Sequence, residues 1–214
     1  MFELTLSFDN GPAPEATPGV IETLRRAGVA ATFFVVGEKV AAGGFDLCAR
    51  AHDAGHWIGN HTWSHSTPLG LCHGADLAER EIDRTQRLIG RLAHPHRWFR
   101  PFGGGGNLDR RLLNPDVLAH LATARFSCVL WNAVPRDWAD PDGWVETALA
   151  QCAARHWTLM VLHDLPTGAM RHLPRFLDTV QERGGHFRQD FPPACVPILD
   201  GRVVRPVGNY VAAA

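Results

Sequence analysis

The sequence predicts an α/β fold, a small or incomplete (β/α) barrel of about seven units in a single domain. Three observations predict it. Apolar runs of strand length alternate with helical stretches along the whole chain. The 214 residues, 45% of them hydrophobic, suit one domain with a sizeable core. Polar residues repeatedly follow the apolar runs, where barrels of this kind carry their catalytic groups, at the C-terminal ends of strands.

The first strand is read over Leu4–Phe8, and a helix over Pro14–Arg26, opened by prolines and closed near Gly28. Ala31–Val36 reads as a buried strand, Phe45–Ala54 as a helix and His56–Gly59 as a short third strand. The next helix, Asp76–Leu92, places Ala78, Ile82, Thr85, Ile89 and Leu92 on one face, and Asp76 with Glu79 resembles a capping box. Strands are then expected at Trp98–Phe102, Ser127–Ala133 and Thr158–His163, separated by helices at Arg110–Ala124 and Asp142–Arg155. A last helix, Leu173–Arg183, stops at Gly184-Gly185.

Composition narrows the function. Lys plus Arg number 21 and Asp plus Glu 22, so a net charge of -1 leaves no electrostatic footprint for nucleic acid or an anionic membrane. No apolar run approaches the length of a membrane span. The opening Met1–Leu6 has no basic segment of a secretory leader, so a cytoplasmic protein is expected. Cys48, Cys72, Cys128, Cys152 and Cys195 are odd in number and form no Cys-x-x-Cys pair, which argues against a disulfide framework and against a structural zinc site.

Chemistry-bearing residues cluster at the strand ends. Asp9 and Asn10 end the first strand, and His61 and His65 follow the third. Arg100 lies in the fourth, Asp137-Trp138 follow the fifth, and His163-Asp164 end the sixth. Five such placements argue for one convergent site. In His61-Thr62-Trp63-Ser64-His65 two imidazoles stand at i and i+4; on a helical turn both face one way and could bind one divalent cation. Phe8-Asp9-Asn10-Gly11-Pro12 reads as a tight turn carrying an acid and an amide, and Arg100-Pro101-Phe102 runs into a loop of four glycines, Gly103–Gly106.

In order and along almost the whole chain, these segments resemble the five motifs of the polysaccharide deacetylase family, carbohydrate esterase family four. Ser7-Phe8-Asp9-Asn10-Gly11-Pro12 is similar to that family's Thr-Phe-Asp-Asp-Gly-Pro, and Gly55 to His65 matches Gly-His-x-Ile-Gly-Asn-His-Thr-x-x-His without a gap. Phe99–Gly104 resembles Phe-Arg-Pro-Pro-Tyr-Gly; Asp137-Trp138 and Val161-Leu162-His163-Asp164 resemble the fourth and fifth motifs. The resemblance implies a distorted barrel that hydrolyses the N-acetyl group of an amino sugar, with an N-acetylated carbohydrate as its partner. By position, Asp9 is the general base acting on a metal-bound water, and Asn10, His61 and His65 stand at the metal-ligand positions. His163 is the general acid for the leaving amine, Arg100 orients Asp9, and Asp137 holds and charges His163. Trp138 and Val161 line the pocket for the acetyl methyl, and the backbone N–H of Gly103 helps bind the oxyanion. Two positions depart from the pattern: Asn10 stands where the family usually has a second Asp ligand, and Gly103 where it usually has Tyr.

Elementary chemistry asks for the same parts. An amide carbonyl is a poor electrophile, so a Lewis acid is needed to polarise it and to lower the pKa of water. A base must stand near that water and an acid near the nitrogen. A carboxylate beside an Arg stays ionised, and an Asp beside a His favours the imidazolium. Two imidazoles with an oxygen ligand suit zinc first, and cobalt or nickel in the same geometry. Two other readings stay open: a related carbon–nitrogen hydrolase acting on a small amide or ureide, and a non-catalytic carbohydrate-binding relative that lost its metal at Asn10.

Overall fold

The computed structural model describes residues 1–213. Strand β1 (Phe2–Asp9) lies at the centre of the molecule because its residues alternate strictly. Leu4, Leu6 and Phe8 face a core shared with the helices, while Thr5, Ser7 and Asp9 are equally buried but polar. Around it run β2 (Thr32–Val35), β3 (Trp57–Asn60), β4 (Trp98–Phe99), β5 (Ser127–Cys128) and β6 (Trp157–His163), all parallel, in the order β6-β1-β2-β3-β4-β5. Helices α1 (Thr17–Ala27), α3 (Phe45–Asp53), α6 (Trp144–Ala153) and α7 (Leu173–Glu182) pack Val20, Ile21, Leu24, Trp144, Phe176 and Val180 onto β1 and its neighbours; the short turn α2 (Gly37–Lys39) precedes α3.

The ring is incomplete between β5 and β6. Among the described residues the one bridge there is Ala133 to Met160, and the Asn132 side chain closes the seam, with Leu159 N–H donating to Oδ1 at 2.8 Å. On its other side β5 pairs antiparallel with β8 (Ile198–Leu199), which forms a hairpin with β9 (Arg202–Val203) that the sequence pattern did not announce. Strand β7 (Gly185–Arg188) runs beside the first half of β1, from Phe2 to Thr5, below the stretch that pairs with β2.

Several elements are shorter than their patterns suggest, for identifiable reasons. The Ser127–Ala133 run stops pairing after Cys128 because Arg100 takes the carbonyls of Val129 and Leu130. The Trp98–Phe102 run ends at Phe99, just before Arg100-Pro101, since proline has no N–H to donate. Helix α5 spans Pro115–Thr123, not 110–124, because the Asn114 side chain accepts from Val117 N–H and fixes the start there. Similarly, α6 begins at Trp144 and ends at Ala153.

The stretch read as one helix over Asp76–Leu92 is three pieces: a π turn at Glu79–Asp83, α4 at Arg84–Ile89 and a 3-10 turn at Gly90–Leu92. Ile82, Thr85, Ile89 and Leu92 are buried as the periodicity requires. The expected capping box does not form. Asp76 pairs with Arg80 and Glu79 with Arg87, so both carboxylates serve surface ion pairs.

Candidate active site

The parallel register of β1 with β6 sets Asp9 directly opposite His163. The two strand ends therefore bring a carboxylate and an imidazole to one rim, 154 residues apart in sequence. Asp9, Asn10, His61, His65, Gly103, Trp138, Val161 and His163 all line one cleft of about 240 Å³. The other two expected residues, Arg100 and Asp137, lie beneath it with no solvent exposure.

Arg100 is the centre of the lower layer. Its Nη1 donates to Asp9 Oδ1 and to Ser7 Oγ, both at 2.7 Å; Nε and Nη2 reach the carbonyls of Val129 and Leu130. Its guanidinium carbon stacks 4.0 Å above the Phe34 ring. Asp9 is thereby held by one oxygen, and its other, Oδ2, stands 3.5 Å from His61 Nε2. The Arg100 carbonyl also accepts from His61 Nδ1 at 2.7 Å, so Nε2 of that ring is left with its lone pair toward Asp9. Burial pushes the His61 ring down to about 3, against the bond to the Arg100 carbonyl.

His65 comes beside His61, with ring centroids 4.6 Å apart, but by a different route from the one expected. The segment is not a helical turn. Thr62 and His65 both adopt left-handed backbone, at φ 66 and φ 49. Asn60 Oδ1 accepts from Thr62 N–H at 3.0 Å, Thr62 Oγ1 accepts from His65 N–H at 3.1 Å, and the Thr62 carbonyl accepts from Thr85 Oγ1. Local side-chain bonds of this kind compete with the helix and replace it. Burial and the neighbouring His61 push His65 down to about 3 as well, so both imidazoles are neutral donors near pH 7.

On the opposite wall, Asp137 receives both polar hydrogens of His163: the ring Nδ1 at 2.8 Å from Oδ1 and the backbone N–H at 3.0 Å from Oδ2. Burial disfavours the charged ring, yet the bond to Asp137 and its charge outweigh it, and His163 is raised above its ordinary value. Trp138 meets the His163 ring edge-on at 4.6 Å. With Nδ1 engaged, Nε2 is the nitrogen left to face the cleft.

Asn10 takes left-handed backbone at φ 70, and its Oδ1 is buried without a hydrogen-bond partner. An orphaned amide oxygen is costly unless something occupies it. Asn10, His61 and His65 line the same cleft and between them offer an amide oxygen and two neutral ring nitrogens, donor types that suit a divalent cation; among the described residues no group of three or more His, Cys, Asp or Glu side chains is gathered to hold one.

Three features were not legible as functional residues. Trp131 lines the cleft, with Nε1 donating to the Gly106 carbonyl at 3.1 Å, and a Cβ on Gly103 would meet its ring at 2.3 Å. The residue that replaces the usual Tyr is thus the only type that leaves room for this indole. Phe102 stacks against His65 at 4.1 Å. Asp164, next to His163 in the chain, is fully buried, and its Oδ2 accepts from Thr17 Oγ1 at 2.5 Å. Burial pushes its carboxyl up to about 7, against the Thr17 bond. Nothing in periodicity separates Trp131 or Asp164 from core residues.

Comparisons with known proteins bear on this arrangement. A model of the polysaccharide deacetylase family matches residues 2–117. A chitooligosaccharide deacetylase of Bradyrhizobium sp. (strain ANU 289) is 36% identical over 171 residues, covering 78% of this chain and 73% of the relative. Among solved structures, a family 4 carbohydrate esterase from Streptomyces lividans in complex with acetate superposes with a TM-score of 0.75 at 26% identity, over 96% of this chain and 98% of that one. A family 4 acetyl xylan esterase from Clostridium thermocellum, in complex with a cobalt ion, gives 0.70 at 28% identity over 87% of each chain.

Proposed function

Because this chain belongs to the polysaccharide deacetylase family, we propose that it removes the acetyl group from an N-acetylated amino sugar in a metal-dependent hydrolysis, with an N-acetylglucosamine oligosaccharide as substrate. The observation that carries the reading is the placement of Asp9 opposite His163 across one cleft, each held by its own buried partner.

The residues divide the work. Asp9 is the base: Arg100 fixes Oδ1, and Oδ2 accepts the proton of the attacking water. His163 is the acid: Asp137 holds Nδ1 and favours the imidazolium, and Nε2 delivers a proton to the departing nitrogen. Gly103 lines the cleft, and its backbone N–H is assigned to the developing oxyanion. Trp138 and Val161 are assigned to the acetyl methyl, for which an apolar wall excludes water. His61, His65 and Asn10 are assigned to a divalent cation, zinc by donor preference with cobalt or nickel able to substitute; when bound it supplies Lewis-acid polarisation of the carbonyl and lowers the pKa of water.

The test is acetate release from N-acetylated chitin oligomers, with and without prior chelation and with zinc, cobalt or nickel returned. Activity is expected in the parent, lost on chelation and lost in Asp9→Asn. Hydrolysis of small amides with none of acetylated sugars would instead support a small-amide hydrolase.

A further inference from the structure

One buried ionisable group has no part in that chemistry. Asp164 comes directly after the end of β6 as Asn10 and Gly11 come after the end of β1, and Asp9–His163 is the last ladder pair of the two strands. The Asp164 carboxylate fills the space between the chain ends. A Cβ on Gly11 would lie 2.2 and 2.3 Å from its two oxygens, so the carboxylate packs directly on the glycine backbone. Oδ2 accepts the Thr17 hydroxyl, and Thr17 Oγ1 in turn accepts Ala13 N–H at 2.8 Å, which pins the far side of the same loop. Lys39 Nζ donates to the Asn10 carbonyl at 2.6 Å and holds the same turn. Oδ1 of Asp164 is buried with no hydrogen-bond partner, so Oδ2 carries the side chain's one hydrogen bond.

We propose that Asp164 is a positioning residue: it braces the Asn10–Gly11 turn against the end of β6 and so keeps Asp9 and His163 at the separation their strand register gives. The inference rests on the assignment of those two residues as base and acid. The brace works through shape and one accepted hydrogen bond. An isosteric amide at 164 keeps both, whereas a methyl group keeps neither and leaves a void under a turn whose Asn10 already sits in left-handed backbone.

Asp164→Ala, checked as folded by near-UV circular dichroism, is expected to lose about 10²-fold in kcat with KM little changed, the loss that follows a displacement of about 1 Å at reacting groups. Asp164→Asn is expected to keep most of the parent kcat. Should Asp164→Ala fail to fold, Thr17→Val, which exchanges the hydroxyl for a methyl of similar size and so removes the bonds to Asp164 and to Ala13 N–H, is expected to lower kcat with KM unchanged. A thermal-melt cycle tests the contact without reference to activity: Gly11→Ala is expected to destabilise the parent strongly and the Asp164→Ala protein much less, because the carboxylate it collides with is gone. A folded Asp164→Ala enzyme with the parent kcat overturns the proposal, as does Asp164→Asn slowed equally, or additive melts. An inactive parent counts against the functional reading alone, since the melts still decide the brace.

Discussion

Arg100→Gln is the perturbation whose consequence can be worked most fully. The guanidinium is completely buried and satisfies Asp9, Ser7 and two backbone carbonyls at once. Its removal leaves the Asp9 carboxylate buried without its ion-pair partner, a loss of about 3–5 kcal/mol. The shorter amide can reach at most part of the remaining set, and each buried carbonyl left unpaired costs about 1–3 kcal/mol more. With one of the two carbonyls unpaired, a destabilisation of about 4–8 kcal/mol follows, a large share of the ~5–15 kcal/mol that holds a domain together. Denaturant unfolding of parent and variant measures it. In Asp9→Asn/Arg100→Gln both charges vanish together, so the double variant should be more stable than the sum of the two single losses. A loss below ~1 kcal/mol, or strict additivity, refutes the claim that Arg100 exists to hold a buried carboxylate.

Four further outcomes are expected. In Asp137→Asn, His163 loses the bond and charge that raise it, so the fall in rate at high pH begins at lower pH than in the parent; a pH–rate profile reads this directly, and an unmoved limb denies the pairing. His61→Ala and His65→Ala should each abolish metal retention, measured by elemental analysis after gel filtration. Asn10→Asp should tighten metal binding by supplying the missing negative charge, with kcat at saturating metal within about tenfold of the parent, a change of ~1.4 kcal/mol or less; competition with a chromophoric chelator measures the affinity. Asp164, raised to about 7 from 3.8, keeps its proton in the folded state when the unfolded chain has lost it, so it contributes stability at low pH that is lost as pH rises toward 7; Asp164→Asn should flatten that part of the stability curve.

The order of parts is legible in the chain alone. Alternation in Leu4–Asp9 is enough to send Leu4, Leu6 and Phe8 to one side and Asp9 to the other, because a strand has a period of two. The motifs at the strand ends could be read because each is contiguous: Gly55 to His65 carries its own hydrogen bonds, and Asn10-Gly11 its own turn. The tertiary structure decided everything that depends on residues distant in the chain. Arg100 meets Asp9 across 91 positions, and Asp137 meets His163 across 26, with both partners hidden from solvent. It also decided where patterns fail. A guanidinium that claims two carbonyls ends a strand the hydrophobic run would continue, and two threonine-anchored left-handed residues replace the helical turn between His61 and His65. The place of Trp131 beside Gly103 and of Asp164 beneath Gly11 follows from close packing, which is a property of volumes in three dimensions and leaves no period along the chain.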